Sequence, residues 1–151
     1  MRKMFSASLI VLLFYTVYSG FAGEESEKNE LAELMSEIDL KYKVLERLST
    51  YFSFDEIEKE WELYGDASAH LAALCKTATM KFARPDDDRY QELNNAMLTA
   101  SENIDVVFKE RDRGDTIEDV VWQTGLLRQT CAACHKHLGI QIGSGKQGKQ
   151  K

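Results

Sequence analysis

The sequence predicts an all-α fold, an antiparallel up-and-down four-helix bundle, and three observations support this prediction. The 151 residues include one Pro and nine Gly, which leaves long stretches free of helix breakers. The frequent Gly and Pro turns that separate the short strands of a β-sandwich or barrel are missing. Along four segments, apolar residues recur at alternating spacings of three and four, which is the helical period. Four such helices with short connections form an antiparallel bundle.

The composition excludes several classes of protein. A hydrophobic fraction of 44% and a charged fraction of 29% are ordinary for a globular domain and exclude disorder throughout the chain. A formal net charge of −6 argues against a protein whose main task is to bind nucleic-acid phosphates. The length fits a single domain.

Residues 1–22 have the order of parts of a secretory signal peptide. A basic start is followed by an apolar run over residues 5–17 and then by the small residues Gly20 and Ala22. Cleavage after Ala22 fits best, and cleavage after Gly23 is the alternative. An uncleaved membrane anchor is disfavoured, because the run is shorter than the ~20 residues that a spanning helix needs. Loss of two of the 19 basic side chains leaves 17 against 25 acidic ones, a net charge of −8. We therefore expect an exported, periplasmic and soluble protein.

The first two predicted helices follow the signal segment. Residues 27–52 contain no Gly or Pro, and their apolar stripe comprises Leu31, Met35, Ile38, Tyr42, Leu45 and Phe52, with Leu34 and Leu48 beside it. The second helix begins with the acidic turn at Asp55 and Glu56. Its stripe comprises Ile57, Trp61, Tyr64, Leu71, Cys75, Ala78 and Phe82.

Two further helices complete the predicted domain, which spans residues 23–142. The third begins after Pro85 and has the stripe Leu93, Met97, Ala100, Ile104 and Val107. The fourth begins at a cap formed by Asp115 or Thr116, with Glu118 in support, and ends at Gly139. Its stripe comprises Ile117, Val121, Thr124, Leu127, Cys131, Cys134 and Leu138. Residues 143–151 are rich in Gly and Lys and predict a flexible basic tail.

The run Cys131-Ala132-Ala133-Cys134-His135 carries the most specific chemistry in the chain. Cys-x-x-Cys-His is the attachment motif for haem c. Positions i, i+3 and i+4 of a helix share one face, so both thiols can add to the vinyl groups of one porphyrin while the imidazole reaches the iron. The motif lies on the inward stripe of the fourth helix. We therefore predict one covalent haem c held by Cys131, Cys134 and His135, with His135 as an iron ligand.

Three other interpretations of the motif have less support than haem attachment. A disulfide redox motif is expected at a helix start after a strand, and this chain has no strand pattern. A zinc site would need His135 and His137, which point about 200° apart on a helix. A structural disulfide between Cys131 and Cys134 is poorly placed, because the two residues lie one turn apart on a helix.

An exported four-helix chain with Cys131, Cys134 and His135 near its C-terminus resembles the class II c-type cytochromes, which include cytochrome c′ and its low-spin four-helix relatives. The resemblance spans about residues 27–139. It implies an antiparallel four-helix bundle that is often dimeric through its first two helices, so a homodimer is an option here. Members often carry an aromatic residue three positions and Arg four positions after the His. This chain has Leu138 and Gly139 there, so the family's potential and ligand affinity are not carried over.

The sixth iron ligand decides between functions, and Met35 is the leading candidate. At 1.5 Å per residue, Met35 lies about 12 Å along the helix axis from the start of the first helix. His135 lies about 6 Å from the end of the fourth helix. In an up-and-down bundle these depths are measured from the same end and differ by about one turn. The sequence around Met35 also resembles the first helix of the low-spin relatives. Two alternatives stay open: ligation by another Met, either the inward Met97 or the flanking Met80, and a five-coordinate iron.

Other residues of interest are assigned structural roles. Cys75 lies on an inward stripe and is expected to be a buried thiol. His70 and His137 are expected at the surface. Trp61, Tyr64 and Trp122 are expected in the core or at the haem edge.

These residues favour an electron carrier over an enzyme, because neither a general base nor a nucleophile with a substrate pocket is evident. A haem with His135 and Met35 as axial ligands changes little in geometry on one-electron transfer. The acidic surface would suit a basic redox partner. The alternative is a protein like cytochrome c′ that binds NO or CO at a vacant distal site.

Overall fold

The structure is a computed structural model that describes the backbone of residues 6–140 and the side chains of residues 25–140 except residue 112. The regular secondary structure of this part of the chain is helical and includes no strand, which confirms the all-α prediction. Its four α-helices are α1 (Ser6–Glu46), α2 (Trp61–Lys81), α3 (Asp88–Lys109) and α4 (Ile117–His137). Short 3-10 helices cover Arg47–Thr50, Phe54–Glu60 and Arg111–Arg113.

The chain divides into two compact units, residues 1–36 and residues 37–151. The first unit contains most of α1, whose side chains are described only from residue 25. The predicted signal peptide, residues 1–22, and the predicted tail, residues 143–151, lie outside the described side chains. Among the described residues, no helix is both long and apolar enough to cross a membrane.

Helices α2, α3 and α4 pack side by side in the second unit. Near one end of the α2–α3 pair, the Thr79 hydroxyl lies 3.5 Å from the Asn94 carbonyl oxygen; near the other, Gly65 lies against Phe108. These contacts show that α2 and α3 run antiparallel. The ring of His137 at the end of α4 contacts Asp87 at the start of α3, so α3 and α4 are antiparallel as well.

The core of the second unit is formed largely by the stripes expected from the sequence. One exception is Val121, which was expected on the fourth stripe but is half-buried, whereas its neighbour Val120 is buried. Every residue of the predicted third stripe is buried. The part of α1 that belongs to this unit contributes Ile38 and Leu45, and Glu46 pairs with Arg128 of α4 at 2.9 Å. The fully buried apolar side chains are Leu45, Leu48, Ile57, Tyr64, Leu71, Cys75, Ile104, Val120 and Leu127.

Two helix boundaries differ from the prediction. The first helix was expected to run to Phe52, but α1 ends at Glu46 and a 3-10 turn follows. The hydroxyl groups of Ser49 and Thr50 donate to backbone carbonyls three residues earlier, at 2.8 and 2.7 Å, which favours the tighter turn. The segment expected to open the second helix is likewise a 3-10 helix, and α2 itself begins at Trp61.

Two aromatic side chains are not where the sequence placed them. Phe52 was expected on the inward stripe but is 84% exposed, because the helix ends before it and Tyr51 is extended. Trp122 was expected in the core or at the haem edge but is 71% exposed. It lies outside the apolar stripe of α4, so its apolar character alone did not predict its burial. Tyr64 is buried as expected, whereas Trp61 is half-buried between Phe54 and Phe108.

The start of α4 is fixed by a capping box at Thr116. The Thr116 side chain accepts from the backbone N–H of Asp119, and the Asp119 carboxylate accepts from the Thr116 N–H at 2.8 Å. Thr116 was one of two expected caps, but its partner is Asp119 and not Glu118. The Thr116 N–H and hydroxyl hold the pKa of Asp119 below its usual value.

We expect Thr116→Ala to lower the free energy of unfolding by about 1 kcal/mol, because it removes a side-chain cap. Thr116→Ser keeps the hydroxyl and should unfold like wild type in a urea titration at pH 7. Because the pKa of Asp119 is lowered, its carboxylate contributes its full stabilisation at pH values above the unfolded-state pKa of about 3.9. This stabilisation is lost as the pH falls through the lower pKa of the folded state. Equal stability of the Ala and Ser variants would contradict this role.

Candidate functional site

Cys131, Cys134 and His135 lie on the last two turns of α4, in the second unit. All three are half-buried, and both cysteines are free thiols. They continue the face that carries the buried residues Thr124 and Leu127. The structure therefore places the three motif residues side by side along the inner edge of one helix.

Burial in the folded chain favours the protonated form of both thiols. Burial, with the nearby Cys75 thiol as a smaller cause, raises the pKa of Cys131 to about 12. Burial also raises the pKa of Cys134. Disulfide oxidoreductases depend on a cysteine with a lowered pKa, because the thiolate is the reacting species. The electrostatics of the pair therefore argue against a disulfide redox motif.

Cys75 is fully buried, as expected from its place on the α2 stripe. Burial raises its pKa to about 11, and a hydrogen bond with Ser101 of α3 opposes this shift. The thiol is thus a neutral core group adjacent to Cys131.

The imidazole of His135 has one ring nitrogen that is unusually placed. Its Nδ1 is buried and has no hydrogen-bond partner among the described residues. Buried polar atoms in proteins almost always have partners, and ligation of a metal is one way in which an imidazole meets this need. Within the described part of the chain, no three His, Cys, Asp or Glu side chains come together in a group that could hold a metal ion.

The end of α4 is a well-defined Schellman motif that begins at His135. Gly139 has φ = 68°. Its N–H donates to the Lys136 carbonyl at 3.2 Å, and the Ile140 N–H donates to the His135 carbonyl at 2.8 Å. Gly139 was the expected stop, and the hydrogen bonds explain why glycine is needed: a side chain disfavours the left-handed backbone that they require.

A contact between His137 and Asp87, which was not predicted from the sequence, joins α4 to α3. The His137 Nε2 lies 2.8 and 2.9 Å from the two carboxylate oxygens of Asp87. Asp87 is also the N-cap of α3 and accepts from the Tyr90 N–H at 2.9 Å. These two interactions hold the pKa of Asp87 below its usual value, with the Tyr90 N–H as the larger cause. The signal available in the sequence was the run of acids before a helix start.

The remaining candidate ligands are distributed as follows. Met35 lies on α1 in the first unit, whereas His135 belongs to the second, so ligation by Met35 stays a prediction. Met97 is buried and Met80 is 72% exposed, in agreement with their assignment as inward and flanking residues. His70 is exposed, as expected.

We expect Gly139→Ala to lower the free energy of unfolding by about 1–2 kcal/mol, because the left-handed backbone at this position is strained for any residue with a Cβ. Gly125→Ala is the matched control on the same helix. A Cβ at Gly125 meets nothing within 4 Å, so this change should instead stabilise the protein by about 1 kcal/mol. Urea titrations of the two variants check the opposite signs, and destabilisation by both would contradict the prediction.

No protein-family model, no curated protein and no solved structure matches this chain. The residues of this chain that bear on its function are above all Cys131, Cys134 and His135.

Proposed function

We propose that the chain is an exported c-type cytochrome with a single haem that carries one electron at a time. The observation that carries this proposal is the arrangement of Cys131, Cys134 and His135: two unpaired thiols and an imidazole on one face at the end of α4. The acidic mature chain would meet a basic redox partner. Export to the periplasm, a homodimer and the absence of an enzymatic activity are further parts of the proposal.

The donor set fits a covalent haem. Each thiol can supply one thioether, and the half-buried imidazole of His135 can supply one axial nitrogen. Iron held by one ring nitrogen of His135 would leave the proton on the other. When bound, haem supplies a one-electron couple whose potential the protein tunes.

The chain's own residues have three tasks in this proposal. The Schellman motif after His135 and the contact between His137 and Asp87 hold the last turn of α4 in place. The apolar interior excludes water, which raises the reduction potential. Met35 would supply a thioether sulfur to the iron, a ligand that favours the reduced state.

The second candidate is a protein that takes up NO or CO at a vacant sixth position. Met35 is half-buried on α1, and methionine is also an ordinary packing residue that fills gaps well. In this case Met35 would be a packing residue, and His135 would be the only protein ligand.

We expect the haem to stay on the chain when the mature protein is denatured in acidic organic solvent, because two thioether bonds hold it. Replacement of both Cys131 and Cys134 by Ala should release all of it. His135→Ala should keep the covalent haem and lose the native axial-ligand spectrum. The measurement is the haem absorbance in the protein and solvent phases, and free extraction from wild type would overturn the proposal.

We expect the wild-type iron to be low-spin and slow to bind CO, and Met35→Ala to make it high-spin or water-ligated and open to CO. Two other methionines provide matched controls. Met97→Ala removes a buried side chain and should cost about 2–5 kcal/mol of stability while the spectrum stays unchanged. Met80→Ala should change neither property, because Met80 is exposed. A wild-type spectrum that is already high-spin would favour gas binding over electron transfer.

A further inference from the structure

An apolar groove lies along α4, and Trp122 and Gln129 in its lining face away from Cys131. It has a volume of about 380 Å³, within the range of protein binding pockets, and lies between residues 49–52 and α4. Seven large hydrophobic side chains are exposed in the described part of the chain, and three of them line this groove: Phe52, Trp122 and Leu126. Clustered exposure of this kind marks a binding surface, whereas scattered exposed residues do not.

The groove lining carries one carboxylate, and the two arginines beside the groove are paired with other carboxylates. Glu118 is the only charged residue in its lining, and it makes no ion pair among the described residues. Arg47 and Arg128 precede groove residues in the sequence, but both are paired: Arg47 with Glu60 at 3.3 Å and Arg128 with Glu46 at 2.9 Å. A partner that fits this surface therefore needs apolar side chains and positive charge.

The groove and the candidate haem site lie on different sides of the same helix, α4. Gln129 lines the groove and precedes Cys131 by two residues on α4. The two side chains lie about 160° apart around the helix, so roughly one helix diameter of 10–12 Å separates the two surfaces. A protein docked in the groove would be separated from the motif by a single helix.

We propose that this groove is the docking site of a basic protein partner, which inserts the apolar face of an amphipathic helix between Phe52 and Trp122 while its Lys and Arg side chains face Glu118. This is the helix-in-groove mode of recognition, with aromatic anchors and charge steering. The identity of the partner as an electron-transfer protein rests on the proposed function; the docking surface itself does not.

The test uses a fluorescein-labelled amphipathic 18-residue peptide of Leu and Lys, with a Leu and Glu peptide of the same pattern as its counterpart. Binding to the mature protein is measured by fluorescence anisotropy at low salt and at 0.5 M salt. We expect only the Lys peptide to bind, with an affinity that falls as salt rises. Trp122→Ala should weaken binding by about tenfold or more, and Glu118→Lys by about three- to tenfold.

Matched controls separate the groove from general surface effects. Met80→Ala removes another exposed apolar side chain, and Glu102→Lys reverses another exposed charge; both should bind the peptide within about twofold of wild type. Equal binding by Trp122→Ala and wild type would overturn the proposal, as would equal binding of the two peptides. A dimer in sedimentation that Trp122→Ala dissociates would assign the groove to a second copy of the chain and also overturn it.

The proposed function is tested by a separate measurement. This is the rate of electron transfer from the reduced protein to a small basic redox protein. Slower transfer by Trp122→Ala, together with weaker peptide binding, supports both inferences. Peptide binding at the groove in a chain that carries no haem would leave the docking site standing and overturn the electron carrier.

Discussion

The burial of one face of α4 determines both the packing of the second unit and the geometry of its candidate site. Ile117, Val120, Thr124 and Leu127 anchor this face in the core, and the same helical period brings Cys131, Cys134 and His135 to its edge. The spacing of the three motif residues works chemically only while the helix is intact. A helix fixed at both ends, by a capping box and a Schellman motif, meets this requirement.

The sequence predicted what depends on helical period and on side-chain preferences at helix ends. It identified the whole buried stripe of the third helix and most of that of the second, the caps near Thr116 and Gly139, and the burial of Cys75. It missed features that depend on tertiary contacts. Phe52 has the right spacing for the first stripe, but the helix ends before it. The hydroxyl groups of Ser49 and Thr50 donate to backbone carbonyls there and favour a 3-10 turn. The pairing of Asp87 with His137 joins residues 50 apart, which no local pattern reveals.

For the candidate site, the sequence supplied the motif and the structure supplied its electrostatic environment. Burial raises the pKa of both thiols, which distinguishes this Cys-x-x-Cys pair from redox-active pairs that need a thiolate. The outer face of α4 adds a surface that hydrophobic periodicity alone could not classify. Trp122 is as apolar as a core residue, and only its position opposite the buried stripe shows that it is available to another molecule.

Asp87 connects two helix ends that would otherwise open independently. Its carboxylate caps the first turn of α3 and at the same time contacts the ring of His137 on the last turn of α4. Helix ends near a chain terminus usually fray, with opening free energies close to zero. Here, one carboxylate takes part in the cap of α3 and in the contact with the end of α4. The turn that carries His135 is therefore joined to the start of α3 by a side-chain contact, in addition to its own backbone hydrogen bonds.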